Sequence, residues 1–117
     1  MAEAMYGRFV AVNVMPEHRQ AFVDASILEA QTVLSEEAEV FEFQILVDVE
    51  NPNRFYFYEV LRDEATLRDL RETEAFERWL GVVQPMLDGE IETLARMRSL
   101  FPSAKGFEAQ KPSLLLW

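Results

Sequence analysis

The chain has 117 residues, half of them hydrophobic, with no cysteine and a formal net charge of −10. That length suits one domain, able to bury roughly two-thirds of its unfolded surface. The acidity argues against nucleic acid and anionic membrane surfaces as partners, because no Lys/Arg cluster is present to release phosphate counterions; the missing thiols exclude disulfides, thiolate nucleophiles and thiolate metal sites.

The first residues, Met1 to Arg8, show no basic region leading into an apolar run, so no signal peptide is expected. No apolar stretch is long enough to span a bilayer, and the cytoplasm is the expected compartment. Residues 6–14, from Tyr6 to Val14, are rich in β-branched and aromatic types and predict a strand. Pro16 suits a helix start. Beyond it Phe22, Val23, Ser26, Ile27, Ala30, Val33 and Leu34 share one helical face, with Glu17, Arg19, Asp24, Glu29 and Gln31 placed elsewhere. Residues 40–48 alternate, with Phe41, Phe43, Ile45 and Val47 on one side and Glu42, Gln44 and Asp48 on the other; Leu46 breaks the pattern. Asn51-Pro52-Asn53 is turn chemistry, and residues 54–62 predict the antiparallel partner strand.

Asp63 can cap a short helix through Leu70 and Thr73 a second one, whose face is Phe76, Trp79, Leu80, Val83 and Leu87; Pro85 should kink or end it. Asp88-Gly89 is a turn and residues 90–101 predict a last strand. Residues 102–117, holding Pro102, Gly106 and Pro112, read as an irregular tail that ends on apolar Leu-Leu-Leu-Trp. The order β-α-β, hairpin, β-α-β predicts an α+β, ferredoxin-like split βαβ domain over residues 1–101, an antiparallel sheet with helices on one face, and a separate tail over 102–117. Apolar residues occupy both parities of the strands, as in Phe9 with Val10 and Phe57 with Tyr58. Something must therefore cover the second face. A second copy of the chain is the simplest cover, a homodimer to which the tail could also contribute.

Within single strands, Phe9, Ala11 and Asn13 share a side, as do Phe55, Phe57, Glu59 and Leu61. Asn13 and Glu59 are thus polar groups among apolar neighbours. Desolvation would raise the pKa of a buried Glu59 and suit it to general-base work, and Asn13 could donate to an oxyanion. The structural alternatives are that Glu59 pairs with Arg8 or Arg54 or faces solvent, and that Asn13 satisfies a turn. Trp79, on a helical stripe, reads as core more readily than as a stacking platform. A lone His18 without cysteine builds no conventional transition-metal site, and no phosphate loop, nucleotide fingerprint or hydrolase elbow is present.

The runs Asn13-Val-Met-Pro-Glu-His-Arg-Gln-Ala-Phe22, Asn51-Pro-Asn-Arg-Phe-Tyr-Phe-Tyr-Glu-Val-Leu-Arg-Asp-Glu-Ala65 and Glu74-Ala-Phe-Glu-Arg-Trp79 resemble the antibiotic biosynthesis monooxygenase (ABM) domain family over about residues 6–101. The resemblance implies a dimeric ferredoxin-like, α/β-barrel-like assembly. It also implies oxidation of a small aromatic or quinol-type substrate with neither metal nor any other cofactor. Glu59 and Asn13 would be the catalytic pair, and Phe9, Phe57, Tyr58, Leu61 and Trp79 would bind substrate. The family pattern carries two histidines where this chain has Leu70 and Ala75, so the resemblance supplies no haem ligand and no imidazole base. A non-catalytic binding or dimerisation module of the same fold, and an isomerase of a phosphorylated small molecule with Arg54 or Arg71 turned inward, are the alternatives.

Overall fold

The computed structural model describes residues 5–117; residues 1–4 of the expected first domain lie outside them. Four strands form one antiparallel sheet: β1 (Tyr6–Asn13), β2 (Val40–Val47), β3 (Arg54–Leu61) and β4 (Glu92–Arg98), in the order β2-β3-β1-β4. Helix α1 (Arg19–Glu36) connects β1 to β2, while α2 (Glu64–Arg71) and α3 (Glu74–Val83) connect β3 to β4. This is the ferredoxin-like split βαβ arrangement, in which each crossover skips one strand that pairs between its ends.

Local chemistry explains the element ends. A 3-10 turn, Pro16–His18, leads into α1. The Asp63 carboxylate accepts from the Thr66 backbone N–H at 2.8 Å and so starts α2; Thr73 Oγ accepts from the Phe76 N–H at 3.2 Å and starts α3. Helix α3 stops at Val83, and Pro85 sits in the 3-10 turn Gln84–Met86 that follows.

The register fixes which side chains share a face. Residues 8, 10 and 12 of β1 pair with 59, 57 and 55 of β3, so Arg8, Val10, Val12, Phe55, Phe57 and Glu59 all face the helices. The main core forms there, from Val10, Val12, Val14, Phe22, Phe55, Phe57, Trp79 and Val83. A second cluster continues it toward α2 through Val33, Leu34, Val40, Leu61, Leu67 and Leu70. The opposite face carries Phe9, Ala11 and Asn13 with Tyr58, Tyr56 and Arg54.

Three expectations need correction. Phe41 does not share a side with Phe43: the β2–β3 register shifts between Val40 and Glu42, a bulge that leaves Phe41 packing with Met5, Val60 and Phe107 on the other face. Residues 102–117 are not an irregular tail. Ser103 caps helix α4 (Ala104–Leu114), which lies across one end of the sheet: Phe107 is buried on Phe41 and Val60, and Lys111 Nζ donates to the Glu37 carbonyl at 2.8 Å. The final strand is also shorter than residues 90–101. Among the described residues no helix is long and apolar enough to cross a membrane.

Candidate functional site

Between the helix-facing side of the sheet and α1, α2 and α3 lies a cavity of about 340 Å³. Its floor is Val10 and Val12 of β1 with Phe43 and Phe57 of the hairpin; Phe76, Trp79 and Leu80 of α3, Val33 of α1, and Leu67 and Leu70 of α2 make the walls. The aromatic wall is continuous, since Phe57 lies 5.8 Å from both Phe43 and Trp79, and Phe76 lies 5.7 Å from Trp79, centroid to centroid. The indole is held in place: its Nε1–H donates to Ser26 Oγ of α1 at 3.1 Å, with both residues buried. Trp79 is therefore core and cavity wall at once.

Four charged side chains interrupt this apolar lining, namely Arg8, Glu29, Glu59 and Arg71. Glu59 is 7% exposed, and its Oε2 has no hydrogen-bond partner among the described residues. Burial pushes the Glu59 carboxyl above the usual carboxylate range, against the attraction of Arg8 and Arg71. Arg8 stands directly across from Glu59 in the β1–β3 register. Among the described residues no salt bridge within 4.0 Å joins Glu59 to either guanidinium. Arg54, considered as a partner for Glu59, lies on the opposite face, where it pairs with Glu92 at 3.1 Å.

The remaining expected site residues divide by face. Phe57, Glu59 and Trp79 meet at the cavity. Leu61 is on the same side of the sheet but is fully buried in the adjoining cluster rather than on the cavity wall. Phe9, Tyr58 and Asn13 are on the other side. Phe9 stacks on Tyr56 at 5.3 Å. Asn13 donates to the Glu92 carboxylate at 3.1 Å and accepts from Arg54 at 2.9 Å, so its amide belongs to an ion-pair network away from Glu59.

Sequence reasoning missed Glu29, which it placed off the apolar face of the first helix. Glu29 is 8% exposed and lines the cavity, and burial raises its carboxyl pKa while Arg78 opposes the rise. The signal was the spacing: Ser26, Glu29, Ala30 and Val33 stand at i, i+3, i+4 and i+7, one stripe of the helix. Arg8 was named from the sequence only as one of two candidate partners for Glu59; the register chooses it over Arg54 as the neighbour.

The model of the family described as antibiotic biosynthesis monooxygenase matches residues 5–81. The chain belongs to that family. Arg8, Glu29, Glu59, Arg71 and Trp79 all fall inside the matched span. Solved structures agree at the level of fold. A candidate antibiotic biosynthesis monooxygenase from Nitrosomonas europaea is 21% identical, with a TM-score of 0.81 over 89% of this chain and 98% of its own. A conserved protein from Methanosarcina mazei is 21% identical, with a TM-score of 0.75 over 84% and 95%. A second candidate monooxygenase, from Caulobacter crescentus, is 15% identical, with a TM-score of 0.79 over 85% and 92%. No functionally curated protein matches the chain. Within this ABM domain Leu70 lines the cavity, so an isobutyl group stands at one of the positions where the resemblance calls for imidazole.

Proposed function

We propose that this ABM domain is a cofactor-independent monooxygenase-like enzyme acting on a small aromatic or quinol-type substrate, with Glu59 as the proton acceptor. The observation that carries this reading is the Glu59 carboxyl oxygen left without a partner against an aromatic-walled cavity. A carboxyl whose pKa is raised toward the working pH is a better base than an ordinary one. Glu59 takes a proton from the substrate and leaves an electron-rich anion in an apolar chamber. For an anthrone-type substrate, that anion passes an electron to dioxygen. One oxygen atom then replaces the two hydrogens of the ring methylene, giving a carbonyl, and the other leaves as water. The protein contributes a proton acceptor, a fixed orientation and exclusion of solvent.

Oxygen uptake with a panel of quinols, hydroxynaphthalenes and anthrones tests the reading. The expected result is turnover that falls about 10²- to 10⁴-fold in kcat/KM in Glu59→Gln, the usual worth of a positioned base. Absence of turnover across the panel, or turnover indifferent to Glu59→Gln, overturns it. Leu70 on the cavity wall favours one second reading, a non-catalytic binding module. Its signature is a ligand-dependent rise in melting temperature with no product formed.

A further inference from the structure

The cavity has a cationic pole. Arg8, on β1, and Arg71, at the end of α2, come from different elements and both line it. Among the described residues neither forms a salt bridge, and the Arg8 hydrogen bond is a long one, 3.5 Å to Thr93 Oγ. Three other arginine contacts with carboxylates do close: Arg54 with Glu92, and Arg62 with Glu39 and with Asp63. Apart from that long bond, the two arginines facing the cavity have no side-chain acceptor among the described residues, although Glu59, buried and with an open acceptor, stands in the same lining. A guanidinium has five N–H donors in a planar fork that matches a carboxylate. Beyond this pole the lining is apolar and aromatic apart from Glu29, Glu59 and Ser26.

Size narrows the rest. The cavity of about 340 Å³ is roughly twice the ~150 Å³ engineered cavity that binds benzene. It suits one or two aromatic rings. We infer that the cavity takes a hydroxyaromatic carboxylate of one or two rings, its carboxylate held by Arg8 and Arg71 and its hydroxyl presented to Glu59. This rests on the proposed function for the role of the hydroxyl, but the carboxylate recognition stands on the two arginines. The chain's net charge of −10 does not oppose it at close range, because charges beyond about 8 Å are screened at physiological salt.

Calorimetric titration of the full chain with 3-hydroxy-2-naphthoate, its methyl ester, 2-naphthol and 2-naphthyl phosphate tests the inference, with Arg71→Gln and Arg8→Gln in parallel. The hydroxynaphthoate is expected to bind about 10- to 100-fold more tightly than the ester or naphthol, the worth of hydrogen bonds to a charged group. Each arginine substitution is expected to remove about tenfold or more of that preference while leaving naphthol affinity in place. Equal affinity for the acid and its ester, a preference unchanged in both variants, or tighter binding of naphthyl phosphate than of hydroxynaphthoate overturns the inference. Circular dichroism checks folding, and Arg71→Gln, exposed at a helix end, serves if Arg8→Gln does not fold. The two readings fail separately: carboxylate preference without oxygen uptake removes the enzymatic proposal alone, and oxygen uptake without carboxylate preference removes this one alone.

Discussion

At the scale of single residues, Glu59, the proposed proton acceptor, is a buried carboxyl whose charged form costs stability. Burial raises its folded pKa above the unfolded value of about 4.3. The sign follows from linkage: the protonated group is tolerated at low pH, and its contribution is lost as pH rises from the unfolded pKa through the folded one. Glu59→Gln is therefore expected to melt higher than the parent near neutral pH and to lose that advantage at about pH 4, where the parent carboxyl is itself protonated. Melting curves across that range check it; a variant less stable at neutral pH would show that Glu59 is a net structural support. Ser26 argues in the other direction. Removing its hydroxyl strands the buried Trp79 N–H, so Ser26→Ala should cost about 1–3 kcal/mol by denaturant titration, and adding Trp79→Phe should return part of the hydrogen-bond penalty by removing the orphaned donor. The sequence made Glu59 visible as a carboxylate amid Phe57, Val60 and Leu61. It did not separate Asn13 from Glu59, because parity within one strand says nothing of its phase against the next. Only the pairing of Asn13 with Arg54 and of Arg8 with Glu59 settles which face each takes.

At the scale of elements, the short helix α2 depends on its ends. It has eight residues, too few to hold in isolation, and it presents Leu67, Leu70 and Arg71 to the cavity. Asp63 accepts from both the backbone N–H and the hydroxyl of Thr66, each at 2.8 Å. Asp63→Ala is expected to cost about 0.5–2 kcal/mol and to weaken ligand affinity through a loosened α2 wall, an effect that Asp63→Asn should largely spare. Both caps of this region were legible in the sequence, since Asp63 and Thr73 stand immediately before apolar periodicity. Helix α4 was not. Pro102, Gly106 and Pro112 look like breakers, yet Pro102 precedes the Ser103 cap and Pro112 falls in the last turn. Gly106 is present because the chain closes on itself there: a Cβ at that position would lie 2.9 Å from the Pro102 Cβ. What holds α4 is Phe107 against Phe41 and Val60, a contact that needs the β2 bulge and has no local signature.

At the scale of the whole molecule, the strand order and the helix-covered face follow from element order and hydrophobic period, which is why the ferredoxin-like fold was readable from the chain. Its second face sets the last prediction. Helix α4 covers one end of that face, but Leu46 is 39% and Met97 38% exposed, and Phe9 and Tyr56 stack beside them only half-buried. A sheet face of this character gains by exclusion of water at roughly 25 cal/mol per Å² of apolar surface, and a two-fold homodimer presents the same patch to itself. Association must also overcome the repulsion of two chains that each carry a net charge of −10, a cost that salt screens. The expected outcome is a dimer by size-exclusion with light scattering at micromolar concentration, tightening as ionic strength rises. Leu46→Glu and Met97→Glu replace side chains already open to water in the single chain, so the protomer should stay folded while the dimer dissociates. A clean monomer of the parent protein, or a dimer indifferent to both substitutions, would place the subunit contact elsewhere or remove it, leaving the cavity beneath the helices to act within one chain.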